Sequence, residues 1–184
     1  MNGLRQWVAE VDRLDRSVYE AIARTPSPLL DRSMRALSRA ADYSKLSLAA
    51  SVALAIAAGP DGRRAAARGL ASLAATATVV NALIKPLARR RRPDRALALV
   101  PSARHVDMPR SRSFPSGHTA AAFAFATGAG SVLPWAGPPL AALAALVGYS
   151  RIHTGVHYPV DVIGGALCGV TLAEATCTWL DQSR

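Results

Sequence analysis

Lysine is nearly missing from this chain: of 184 residues only Lys45 and Lys85 carry an ammonium side chain, while Lys and Arg together number 22 against 12 Asp and Glu. The formal charge of +10 is therefore an arginine charge, and such a basic chain is expected to meet nucleic acid, anionic lipid or a phosphorylated substrate. Aromatic residues are scarce too, at 5%. The basic clusters have almost none beside them on which bases could stack, which argues against a nucleic-acid partner. The two cysteines, Cys168 and Cys177, lie nine apart in one apolar run, too far for a disulfide within a straight helix, and read as small buried side chains. The N-terminus lacks a basic end followed directly by an apolar core, so no signal peptide is expected. The length leaves room for a single domain over residues 1–184.

Apolar residues are plentiful, at 51%, and are mostly Ala, Leu and Val. Small side chains of this kind suit close-packed membrane helices. Residues 1–45 are different: Leu4, Trp7, Val8, Val11, Leu14, Val18 and Ile22 recur at helical spacing between charged residues, giving an amphipathic helix. Thr25-Pro26-Ser27-Pro28 breaks it, and a second helix starts with Ser27 as N-cap, Pro28 at the first position and Asp31 in the first turn. Whether these helices lie on a membrane surface or against a bundle is open at this level. Beyond Lys45, residues 46–58, 69–84 and 160–179 each form an apolar run, and 113–150 is long enough for two crossings with a turn at 134–139. The expected fold is all-α, a helical membrane bundle of five to six spans over residues 46–180. A soluble helical core is the alternative.

If the chain crosses five times, residues 1–45, 85–117 and 151–158 share one membrane face. Three polar motifs fall on that face. Lys85-x6-Arg92-Pro93 places a point charge and a planar fork about two helical turns apart. Its bland reading is a topology signal or a lipid-headgroup contact. Pro115-Ser116-Gly117-His118 precedes a long apolar stretch, so Ser116 caps a helix whose first N–H groups attract anions. Gly117 allows an anion close to the backbone, and His118 can donate a proton. The third motif, Ser150-Arg151-x5-His157-x3-Asp161, sets His157 and Asp161 four apart. On one helical face the carboxylate would hold one imidazole nitrogen and leave the other free to attack phosphorus. His153, His157 and Asp161 also offer a metal-ligand reading, weakened by Gly155 between the histidines.

In order and internal spacing these three motifs resemble the signature of the type 2 phosphatidic acid phosphatase family, with every signature position filled. The N-terminal segment resembles that of actinobacterial members acting on decaprenylphosphoryl-ribose 5-phosphate. The resemblance implies a fold similar to haloperoxidases and acid phosphatases, and a membrane enzyme that needs no metal or other cofactor. It implies His157 as the nucleophile that becomes a phosphohistidine, Asp161 as its orienting partner and His118 as the acid for the departing oxygen. Lys85, Arg92, Ser116, Gly117 and Arg151 are implied to bind phosphoryl oxygens. The expected partners are a lipid phosphate substrate and the bilayer of the cell membrane; a non-catalytic headgroup binder is the competing reading. Net charge is +2 for residues 1–45 and +7 for 85–117, against +2 for 60–68, so the positive-inside rule favours a cytoplasmic site.

Overall fold

The computed structural model of the chain describes residues 2–183, and the side chain of Leu4, assigned from sequence to the first apolar stripe, lies outside the described residues. The helices are α1 (Asn2–Arg24), α2 (Pro28–Ala40), α3 (Lys45–Ala57), α4 (Gly59–Val79), α5 (Lys85–Leu87), α6 (Gly117–Gly130), α7 (Gly137–His153) and α8 (Pro159–Gln182). Among the described residues there is no strand, and the all-α expectation stands.

α6 is the centre of the bundle and packs against α4, α7 and α8. Its sequence explains why: Ala120, Ala124, Ala126, Gly128 and Ala129 are buried, so neighbouring backbones approach closely. The facing stripes are equally small, Ala65, Ala66, Gly69, Ser72 and Thr76 on α4, and Gly165, Gly169, Ala173 and Cys177 at every fourth residue of α8. Phe125 is the large exception, packed among Leu54, Ala65 and Leu133. Larger apolar side chains point outward, including Leu48, Val52, Ile56, Leu146, Ile163, Leu167 and Trp179. Small residues inside and large ones outside invert a water-soluble core. This pattern belongs to a bundle in lipid, where close packing replaces the hydrophobic drive between helices.

Five apolar helices occupy the stretches expected to cross, but they differ in length. α4, a π-turn at Val80–Ile84 and α5 form one helix, Gly59–Leu87, of 29 residues, and α8 has 24; both are long and apolar enough to span. α2 and α3, bent by 67°, meet the same criterion only as a pair. α3, α6 and α7 have 13, 14 and 17 residues, short of the roughly 20 that a full crossing needs. The shortfall in α6 has a local cause: residues 113–116 are drawn into the polar site, where the Ser116 N–H donates to the Asp161 carbonyl at 2.8 Å.

Chain direction alternates as five passes would. At one end Arg68 of α4 donates to the Cys177 carbonyl of α8 at 2.8 Å, beside Ser131 at the end of α6. At the opposite end Lys85, His118, Arg151 and His157 meet. The N-terminal helices also cover that end. α1 buries Asp15, Tyr19 and Ala23, with Ile22 packed on the same apolar cluster, and leaves Trp7, Val8, Leu14 and Val18 exposed. Tyr19 stacks edge-on against Tyr158, with ring centroids 5.2 Å apart. Of the two arrangements left open by the sequence, α1 packs on the bundle, and the part of its apolar stripe formed by Trp7, Val8, Leu14 and Val18 stays exposed. Ser27 precedes α2 as expected, but its hydroxyl makes no capping bond and instead donates to Asp31, 3.2 Å away.

A Cβ on Gly169 would lie 2.4 Å from the Ala120 carbonyl oxygen. Gly169→Val is therefore expected to destabilise the bundle by about 1–3 kcal/mol through overpacking. Thermal unfolding in detergent measures it; an unchanged midpoint would contradict the close α6–α8 contact.

Candidate active site

The pairing of His157 with Asp161 is present, although not on a shared helical face. α8 begins at Pro159, so His157 lies before the helix and Asp161 is its third residue. From that position the carboxylate folds back over the helix start. Its Oδ2 accepts the Tyr158 backbone N–H at 2.9 Å, as an acidic residue does in a capping box, and faces His157 Nδ1 at 3.4 Å. The other ring nitrogen, Nε2, lies 3.1 Å from Arg92 Nη1. A guanidinium can only donate, so Nε2 holds the lone pair and Nδ1 carries the proton toward Asp161. Burial lowers the His157 pKa to about 4, and Arg92 and Arg151 lower it too, against the opposing bond to Asp161. The ring is neutral at pH 7, with its nucleophilic nitrogen turned to the cations.

Lys85 and Arg92 do not share a helical face, because the helix ends at Leu87 and the chain runs extended toward Pro93. They converge nonetheless. Ser111 Oγ accepts from Lys85 Nζ at 3.3 Å and from Arg92 Nη2 at 3.1 Å, so an oxygen already sits between the two charges. A Cβ on Gly117 would stand 3.1 Å from Lys85 Nζ, so glycine leaves the ammonium its place without a shift. Asn81, one turn before Lys85, gives its amide to the Ala77 carbonyl at 2.8 Å. Ser116 is the N-cap residue of α6 without a side-chain cap bond, and its buried hydroxyl accepts from Thr119 at 2.9 Å, which leaves its own proton to give. Arg151 is buried, held by Ser38 Oγ at 2.7 Å through Nη1, and its Nε has no hydrogen-bond partner. His118 Nε2 lies 3.0 Å from Asp42 Oδ1. All eight motif residues thus gather at one end of the bundle.

His153 does not join them. Its Nε2 meets Asp31 Oδ1 at 3.0 Å, and the same oxygen accepts from Arg104 Nε at 2.7 Å. This buried cluster pins α2 to α7, and Arg104 also reaches the Thr25 carbonyl at 2.7 Å. The three-ligand alternative of His153, His157 and Asp161 is corrected accordingly: the two histidines face different carboxylates, and among the described residues no group of three such side chains converges.

Several residues of the site carry no motif signal. Arg90 donates to Asp161 Oδ1 at 2.9 Å, to Asp12 at 3.2 Å and to Asp15, and lies 4.5 Å over the Tyr158 ring. Ser113 donates to Asp161 Oδ2. Asp15 Oδ1 accepts the Val160 N–H at 2.8 Å, so α1 completes the start of α8. The run of four arginines was the available sign for Arg90; the Lys-x6-Arg-Pro spacing singles out Arg92 and leaves Arg90 as one of its neighbours.

A lipid-facing bundle whose polar end combines an oriented, neutral histidine with convergent cations defines a class of helical membrane proteins with an anion-receptive end. The family within that class is shown by comparison: the PAP2 superfamily model matches residues 66–184, and the chain belongs to that superfamily. The chain is 42% identical over 100 residues to decaprenylphosphoryl-5-phosphoribose phosphatase of Mycobacterium tuberculosis, a match covering 52% of this chain and 51% of that protein. It thus aligns with about half the length of that relative. The crystal structure of LpxE from Aquifex aeolicus superimposes with a TM-score of 0.68 at 27% identity, over 90% of this chain and 95% of that one. The fold is also that of the PAP2 type phosphatidylglycerolphosphate phosphatase from Bacillus subtilis, with a TM-score of 0.69, 24% identity, and 95% and 88% coverage.

Two outcomes follow from this geometry. Arg90→Ala strands the buried charges of Asp15 and Asp161 and should destabilise the protein by about 3 kcal/mol; chemical denaturation that finds no loss would contradict the clamp. For His157 the unfolded chain takes up a proton near pH 6.5 and the folded one only near 4, so this residue's contribution is complete above pH 6.5 and is lost as pH falls toward 4. His157→Gln should accordingly flatten the stability profile across that window.

Proposed function

We propose that the chain is an integral-membrane phosphatase that hydrolyses a lipid phosphate monoester or pyrophosphate through a phosphohistidine at His157. The observation that carries this reading is the orientation of one ring, with Nδ1 on Asp161 and Nε2 facing Arg92. Nε2 attacks phosphorus, the bond to the leaving oxygen breaks, and His118 gives that oxygen a proton. Asp161 stabilises the positive charge that develops on the phosphorylated ring. Water then attacks phosphorus while His118 takes its proton, and phosphate leaves with His157 restored. Lys85, Arg92, Ser116, Gly117 and Arg151 hold the phosphoryl oxygens, where negative charge spreads in the transition state. These side chains carry the whole sequence of steps.

Residues 1–184 act as one domain, because α1 supplies Asp12 and Asp15 to the clamp on Asp161. Likeness to the M. tuberculosis phosphatase supports a polyprenyl-linked substrate used in cell-envelope synthesis. The site faces the cytoplasm across the cell membrane, supported by the net charge of +7 in residues 85–117.

The test is phosphate release by detergent-purified protein, with EDTA present, from phosphatidic acid, a polyprenyl pyrophosphate and polyprenylphosphoryl-ribose 5-phosphate. At least one substrate should be turned over, His157→Ala should lose about 10³-fold or more, and Glu174→Gln, an exposed position toward the far end of α8, should match wild type. Turnover retained in His157→Ala overturns the assignment, and no release from any substrate favours a headgroup-binding protein.

A further inference from the structure

A general acid has to be protonated when its substrate arrives, and His118 stands among positive charges. Burial is the largest influence against an imidazolium there, and Arg151 from α7 and Lys85 from the α4–α5 helix add to it. Asp42, on the turn between α2 and α3, provides the opposing charge. Its Oδ1 lies 3.0 Å from His118 Nε2 and 3.6 Å from Arg151 Nη1. Asp42 is outside all three motifs and far from them in sequence.

Two further observations single out this turn. Tyr43 and Ser44, the next two residues, both have φ of 56°, a left-handed region that residues with a Cβ avoid and that persists only where the surroundings enforce it. The turn also borders a cavity of about 220 Å³ lined by Tyr43, Ser44, Leu46, Lys85, Gly117 and His118. This space lies next to the proton donor, where a leaving group has to be accommodated.

We propose that Asp42 is a positioning residue for proton transfer, orienting the His118 ring through Nε2 and opposing the loss of its proton, so that Nδ1–H meets the leaving oxygen. The inference rests on the reading of His118 as the acid. As the N–P bond to His157 forms and the P–O bond breaks, the proton on His118 Nδ1 moves to the leaving oxygen. His118 becomes neutral with Nε2–H still on Asp42, and the Nδ1 lone pair then takes the proton of the attacking water. With Asp42 neutralised, burial, Arg151 and Lys85 act on the ring unopposed, and less of it is protonated.

The consequence depends on the leaving group. An alkyl alcohol or a sugar hydroxyl departs only with a proton, whereas an acidic phenol departs without one. The experiment compares kcat/KM, which reports the steps through leaving-group departure, for phosphatidic acid and p-nitrophenyl phosphate in mixed detergent micelles. Asp42→Asn should lower the value for phosphatidic acid by about 100-fold, as loss of general acid catalysis does, and should lower it far less for the aryl ester. The basic limb of the phosphatidic acid profile should move to lower pH, and Asp42→Glu should recover most of the rate. Equal losses on both esters with an unmoved pH profile would make Asp42 a structural turn residue and overturn the proposal, as would no loss on either. If His157→Ala is inactive while Asp42→Asn equals wild type, the positioning claim alone fails. If wild type hydrolyses neither ester, the Asp42→Asn comparison is made on polyprenylphosphoryl-ribose 5-phosphate, where the same loss of about 100-fold is expected and an unchanged rate overturns the proposal; if no substrate of the panel is hydrolysed, the phosphatase reading falls and this inference with it.

Discussion

The Asp161 carboxylate has no contact with solvent, and the polar end of the bundle is arranged around it. A buried charge persists only if its oxygens are satisfied. Oδ1 takes the Arg90 guanidinium at 2.9 Å, while Oδ2 takes the Tyr158 N–H, the Ser113 hydroxyl and His157 Nδ1. Each donor then brings its own segment. Arg90 draws Asp12 and Asp15 of α1 onto the site, and Asp15 completes the start of α8 through the Val160 N–H. The tautomer of His157 follows from the same carboxylate, because an acceptor beside Nδ1 fixes the proton there and frees Nε2. Remote polar contacts therefore decide which nitrogen can do chemistry.

The lipid-facing pattern and the site constrain each other. α6 is made of Ala and Gly because three helices close in on it, and its N-terminus opens among the cations. Its 14 residues are few because Pro115 and Ser116 belong to the site rather than to the helix. The polar end is consequently built from short helix starts and loops, the places where unpaired backbone groups can meet an anion. α1 presents Trp7, Val8, Leu14 and Val18 outward from this same end, in keeping with a helix lying at the edge of a bilayer.

The motif residues were legible because their chemistry is encoded locally: a histidine four residues from a carboxylate, or a glycine between serine and histidine, names its use by spacing. Their partners were not legible. Arg90 meets Asp161 and Asp15 at separations of 71 and 75 residues, and Asp42 meets His118 at 76. No periodicity signals such pairs. Two local inferences reached the right contact by the wrong route. Lys85 and Arg92 converge through Ser111 because Pro93 and the end of α5 prevent a common helix, and His157 meets Asp161 across a helix start. For α1 the apolar stripe was evident, but the buried side is a mixed one, where Asp12 and Asp15 clamp Arg90 while Tyr19, Ile22 and Ala23 pack on the bundle.

The central claim is that Asp161 fixes the proton of His157 on Nδ1 and thereby makes Nε2 the attacking atom. Acid-free trapping of the enzyme during turnover, followed by phosphorus–nitrogen correlation in NMR of the ¹⁵N-histidine-labelled protein, tests it directly. The account predicts one phosphohistidine, at His157, with phosphorus bonded to Nε2. Phosphorus on Nδ1, on His118 or on no histidine at all during steady turnover would contradict it.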